Sequence, residues 1–126
     1  SIDAGQLKQM GVSYGKGLQL INILRDLPAD LKIGRCYLPG VDPTDHVSIN
    51  REAARWRNRA RAYLVEGQSY ASSLRSRRTR AATALPGLIG EKTLDLLDQA
   101  SWKQLDRGIK VPRRDVYRFM WESFFV

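Results

Sequence analysis

Apolar residues recur along this chain at steps of three and four, and no stretch alternates apolar with polar as a half-buried strand would. From about Asp3 to Leu31, the residues Leu20, Ile21, Leu24, Leu27 and Leu31 fall on one face of a helix. A loop is expected from Gly34 to Asn50, punctuated by Pro39-Gly40 and Pro43, with Ser48 or Asn50 as N-cap of the next helix. That helix carries a stripe of Trp56, Ala60, Tyr63, Leu64, Tyr70, Ala71 and Leu74. Arginines 51, 55, 57, 59 and 61 crowd its first turns, and Arg75, Arg77, Arg78 and Arg80 crowd its end. Pro86-Gly87 marks a break or kink. A third helix follows, burying Leu88, Ile89, Leu94, Leu97 and Leu105 and ending at Gly108 and Pro112. The tail from Arg113 is helical in composition and closes on Trp121, Phe124 and Phe125. The pattern predicts an all-α protein of three or four antiparallel helices.

Length and charge narrow the reading. A chain of 126 residues suits one domain with a real core. It opens on SIDAGQL, without methionine and already helical in pattern, and is expected to be a piece of something longer. The single cysteine, Cys36, excludes an intramolecular disulfide and fits a reducing, cytoplasmic setting. No apolar run approaches the ~20 residues that span a bilayer, and no signal peptide is visible. Lys+Arg number 21 against 13 Asp+Glu, a formal net charge of +8. Such a balance favours anionic partners: phosphorylated small molecules, lipid headgroups or nucleic acid.

The stretch "GLQLINILRDLPADLKIGRCYLP" bears on that choice. On a helical wheel Gln19, Asn22, Asp26 and Asp30 fall within about 80° of one another, roughly opposite the apolar face. One reading is a solvated polar stripe. The other is a hard-cation site. Like charges four residues apart repel by ~0.2–0.5 kcal/mol, and Asn and Asp are poor helix-interior residues. Oxygen-bearing side chains at steps of four line one groove, as Mg2+ prefers, and Mg2+ fills its remaining positions with water and phosphate. Arg25 and Arg35 would then contact that phosphate. Pro28, between the two aspartates, either kinks the helix or stops it, and a stop would separate the carboxylates.

These residues also carry a resemblance. Gln19, Asn22, Arg25-Asp26, Asp30, Gly34-Arg35 and Tyr37 stand in register with the second aspartate-rich motif of the squalene/phytoene synthase family. "RRTRAATALPGLIGEKTLDLLDQ" and "ASWKQLDRGIKVPRRDVYRF" are similar, more weakly, to the family's C-terminal segments. Where the family has a tyrosine near its site this chain has Trp102, which is not assigned the tyrosine's role. The family's first motif, DxxxD, is absent; Asp95 and Asp98 have the wrong spacing. The resemblance therefore covers residues 1–126 as the C-terminal half of an isoprenoid-synthase-type helical bundle.

It implies a prenyltransferase that condenses two allylic prenyl diphosphates, farnesyl or geranylgeranyl, head to head. The product would be squalene, dehydrosqualene or phytoene. It implies Mg2+ held by Asn22, Asp26 and Asp30, with the two aspartates catalytic. Gln19, Asn22, Arg25, Arg35 and Tyr37 would bind substrate, and NADPH would be used only if squalene is the product. As partners it implies the N-terminal half or a second copy of the chain. The competing class is a basic helical module that binds anionic lipid or nucleic acid without catalysis; two aspartates beside Arg25 argue against nucleic acid. The remaining candidates have plainer readings. Trp56, Tyr63 and Tyr70 are expected in the core rather than in a prenyl pocket, His46 solvated in its loop, and Cys36 inert. The arginine run 51–61 reads as a solvated face, its functional rival being peripheral contact with the inner face of a membrane.

Overall fold

The computed structural model describes residues 3–36, 38, 40–42 and 44–125. These form five helices: α1 (Ala4–Lys32), α2 (His46–Ser72), α3 (Arg77–Gln99), α4 (Trp102–Arg107) and α5 (Arg113–Ser123). No strand occurs among the described residues, so the all-α expectation holds. Asp3 caps α1, its carboxylate accepting from Gln6 N at 2.7 Å while the Gln6 side chain accepts from Asp3 N. The helix then runs unbroken through Pro28, whose ring is buried, so Asp26 and Asp30 stay one turn apart.

Three boundaries differ from the sequence reading, each for a local reason. Asp45, rather than Ser48 or Asn50, caps α2, accepting from Val47 N and Ser48 N at 3.1 and 3.3 Å. The helix therefore starts early enough to bury Ile49 completely. Arg77, Arg78 and Arg80 begin α3 instead of ending α2, because Ser76 accepts from Thr79 N and starts a new helix. The expected third helix is divided at Ala100-Ser101, where Ser101 and Gln104 make a reciprocal cap that starts α4. Leu105 thus lies on a separate short helix.

Helix α2 runs antiparallel to both α1 and α3, as paired positions show. Along α1, Gly11, Tyr14 and Gly17 meet Tyr70, Gly67 and Tyr63 of α2 in that order. On the far side, Arg57 and Arg61 of α2 meet Asp98 and Asp95 of α3. Consequently α1 and α3 run parallel, Tyr14 lying opposite Thr83 and Gly87, and Ile21 opposite Gly90. The core comprises Ile21, Leu24 and Leu27 of α1, Ile49, Ala60 and Leu64 of α2, and Leu94 and Leu97 of α3, with Leu38 from the connecting segment.

Tyr14 ties two of these helices together. Its hydroxyl donates to Thr83 O at 2.6 Å and accepts from Gly87 N at 2.7 Å. These are the two groups, four residues apart, that an α-helix normally pairs with each other. The Pro86-Gly87 step therefore does not end α3; a side chain from α1 serves its backbone there. Burial pushes the Tyr14 phenol above its ordinary value, and the Gly87 hydrogen bond only partly opposes this.

Replacing Tyr14 with Phe leaves both backbone groups without this partner and is expected to cost about 1–3 kcal/mol in urea denaturation. Because the folded pKa is raised, the hydroxyl's contribution is complete below the unfolded phenol value. It is lost as pH rises through the folded one, from about pH 10 upward. The wild-type advantage over Tyr14→Phe should therefore shrink in that alkaline range. An advantage that stays constant to about pH 11 would contradict the assignment.

Candidate functional site: an acidic helix face beside an apolar groove

Burial of Tyr14, Gly17, Ile21, Leu24, Leu27 and Pro28 fixes the rotation of α1. The predicted polar stripe is left outward: Gln19, Asn22, Arg25 and Asp26 are exposed and Asp30 is half-buried. Arg25 Nε lies 3.1 Å from Asp26 Oδ1, both side chains about half exposed. A pair so exposed contributes ~0–1 kcal/mol, so either partner is available to another ligand. Among the described residues Asp30 makes no ion pair.

The helix end explains the Gly-Arg of the motif. Gly34 N donates to Leu31 O at 3.1 Å and Arg35 N to Asp30 O at 2.8 Å, with Gly34 at φ +79°. This is a Schellman cap, which demands a left-handed residue at the glycine position. Arg35 is thereby anchored by its backbone to the same residue that offers the second carboxylate. Its own side chain is exposed. Tyr37, the remaining motif residue, lies outside the described residues.

Next to Asp26 opens a groove of about 520 Å³. Its walls are Arg25, Asp26, Pro28 and Ala29 of α1, Ile89 and Thr93 of α3, Leu105, Asp106 and Arg107 of α4, the connection Gly108–Val111, and Val116 of α5. Ile89, Leu105, Ile109, Val111 and Val116 make its lining apolar, while Arg25, Arg107 and Lys110 bring three cations to it. A second, shallower groove of about 370 Å³ takes Gln19, with Lys16, Leu20, Arg59 and Tyr63. The polar face of α1 thus has an apolar depression near either end. Sequence reasoning missed Ile89, Thr93, Arg107, Lys110 and Val111 as groove residues. The cations in "LDRGIKVPRR" were the available signal, but their placement depends on the turn at Gly108, where φ is +93°.

The oxygen donors suit a hard divalent cation in kind: two carboxylates with the amide oxygens of Asn22 and Gln19 on one face. They are too few to enclose one, and among the described residues no group of three or more His, Cys, Asp and Glu side chains is placed to hold a metal. A cation here would need oxygens from a phosphate ligand or from another protein segment.

Other singled-out residues resolve as follows. His46 is exposed as expected, but it begins α2 instead of lying in the loop, and it stacks on Trp102 with ring centroids 4.2 Å apart. The stack joins the start of α2 to α4, the helix that supplies Leu105 and Arg107 to the groove. The arginine run is only partly a solvated face. Arg57 meets Asp98 at 2.6 Å, and Arg61 bridges Asp95 and Asp98 at 2.8 and 2.6 Å. Burial disfavours the Arg61 cation, but its contacts with Asp98 and Asp95 outweigh this and raise its pKa above the ordinary value. The same pairs give Asp95 and Asp98 a structural role between α2 and α3. Trp56 and Tyr70 pack against the core as expected, whereas Tyr63, expected there too, is half-buried outside the core cluster and lines the second groove. Cys36 is half-buried, its thiol directed at Leu38 O at 3.7 Å.

Comparison with known proteins adds three findings. The family model for squalene/phytoene synthase matches residues 2–115. The presqualene diphosphate synthase of Zymomonas mobilis is 53% identical over 32 residues, a match covering 25% of this chain and 11% of that enzyme's length. No solved structure matches the chain significantly.

Proposed function

Because this chain belongs to the squalene/phytoene synthase family, we propose that it forms one wall of a Mg2+-dependent site that joins two allylic prenyl diphosphates head to head. The observation that supports this most is the outward-facing Asn22–Asp26–Asp30 stripe, its first two residues exposed and Asp30 half-buried, beside an apolar groove edged with cations. A prenyl diphosphate has that same division, an anionic head on a hydrocarbon tail. Asp26 and Asp30, with Asn22, would hold the metal, and Gln19 would line the site. When bound, Mg2+ supplies Lewis-acid neutralisation of charge on the departing diphosphate. Arg25, Arg107 and Lys110 balance further charge on the diphosphate head, with Arg35 and Tyr37 assigned there by the family motif. Ile89, Leu105, Ile109, Val111 and Val116 receive part of the hydrocarbon and keep water from a reacting allylic carbon, where water would divert the product.

Two carboxylates complete only part of such a site, so a second acidic wall is required. In this reading the other half of the enzyme provides it, or a second copy of the chain does. The product would be presqualene diphosphate, squalene, dehydrosqualene or phytoene according to the depth of the completed cavity, with NADPH consumed only where squalene is formed.

Calorimetry tests the ligand logic without requiring turnover. Mg2+ alone is expected to bind weakly, and preformed Mg2+–pyrophosphate at least about tenfold more tightly, since phosphate oxygens complete the coordination. Asp26→Asn with Asp30→Asn should remove that gain. Micromolar binding of Mg2+ without phosphate, or an unchanged gain in the double variant, would reject the assignment.

A further inference from the structure

Helix α5 is built the wrong way round for a helix facing water. Its inner face buries Asp115, Phe119 and Ser123. Its outer face exposes Tyr117, Met120 and Trp121, and Phe124 and Phe125 extend the exposed patch just past the helix end, with Trp121 and Phe125 more than two-thirds exposed at 70% and 72%. The inner polar groups are satisfied locally, Asp115 by Arg118 at 3.4 Å and Ser123 Oγ by donating to Met120 O at 2.8 Å. Nothing inside the protein therefore asks for the aromatic residues, and a helix bordering water alone would carry the reverse pattern. The outer aromatics lie close together, Trp121 and Phe125 having ring centroids 5.7 Å apart.

We propose that the outer face of α5 docks onto an anionic phospholipid surface. The argument is charge complementarity combined with residue type. Arg113 and Arg114 are exposed in the first turn, so cations adjoin the aromatic patch, whereas Arg118 is taken up by Asp115 and Glu122 at 3.4 and 3.5 Å. Trp and Tyr favour the headgroup boundary, where a ring meets hydrocarbon and its polar edge meets water. Basic residues beside buried aromatics are the composition of helices that lie in that plane. A bilayer of acidic lipid offers hydrocarbon and phosphate to one continuous surface, whereas a second copy of this chain, at net charge +8, would bring like charge. The arginines of α2, the sequence-level candidates for membrane contact, are less suited, because Arg57 and Arg61 are already held by Asp98 and Asp95. Among the described residues no helix is long and apolar enough to cross a membrane, and the contact proposed is a peripheral one.

Co-sedimentation of the 126-residue chain with vesicles decides this. Phosphatidylcholine vesicles containing about one-third phosphatidylglycerol should bind at least about tenfold more tightly than pure phosphatidylcholine. The pair Trp121→Ser with Phe125→Ser, and separately Arg113→Ala with Arg114→Ala, should each lower that affinity about tenfold. Arg51→Ala with Arg55→Ala removes equal charge from α2 and should change it little. As a check independent of any variant, brominated lipids should quench the wild-type tryptophan fluorescence. Absence of binding to anionic vesicles, equal loss in the α2 variant, or unquenched fluorescence overturns the proposal. So does concentration-dependent dimerisation abolished by Trp121→Ser in a chain that ignores vesicles.

Discussion

Alanine at Asp26 or Asp30 is expected to lower prenyl transfer by roughly 10²–10³-fold in the assembled enzyme while leaving the fold intact. Both side chains project from the outward face of α1, Asp26 exposed and Asp30 half-buried, and neither fills core volume. Losing a carboxylate would thus remove a proposed cation ligand without opening a cavity. Arg25→Ala should cost less, because its pair with Asp26 is half exposed and other cations border the same groove. Product formation measured beside circular dichroism separates the outcomes. Near-normal turnover in the aspartate variants would remove them from the reaction, and a lost helical signal would make their role structural.

Gly67→Val is expected to cost about 3 kcal/mol or more, read as a shift in the urea midpoint. A Cβ at Gly67 would stand 2.6 Å from Tyr14 Cγ and 2.8 Å from Tyr14 Cε1. The ring cannot retreat, because its hydroxyl is held by Thr83 and Gly87 on the next helix. Even alanine there meets the ring, so its higher helix propensity brings no net gain. Gly15 provides the contrast, since nothing lies within 4 Å of its added Cβ. Gly15→Ala should stabilise by about 0.5–1 kcal/mol. A Gly67→Val midpoint equal to wild type would mean that α1 and α2 are not packed as described.

Periodicity disclosed the helices because each one buries a single stripe, and the inner residues of α1, α2 and α3 follow it closely. It failed at their ends. Asp45 begins α2 through its side chain, and the two nearby prolines concealed that start within an expected loop. The division between α3 and α4 depends on a reciprocal Ser101–Gln104 cap inside an otherwise continuous pattern. The acidic stripe was legible because Gln19, Asn22, Asp26 and Asp30 share one helix. The groove was not, since its walls come from four helices and the connection between α4 and α5, and their meeting is a product of packing. Asp95 and Asp98 show the same limit: only the folded chain pairs them with Arg57 and Arg61.

The Tyr14 hydroxyl also acts as a pivot. Asp26 lies twelve residues further along α1, an arm of about 18 Å at 1.5 Å per residue. A tilt of about 5° at the pivot would swing the carboxylate by about 1.5 Å relative to the α3 wall of the groove. Reacting groups misplaced by about 1 Å can lose some hundredfold in rate. The phenol would therefore share with the packed Ile21, Leu24 and Leu27 the task of aiming the acidic face, from more than three helical turns away.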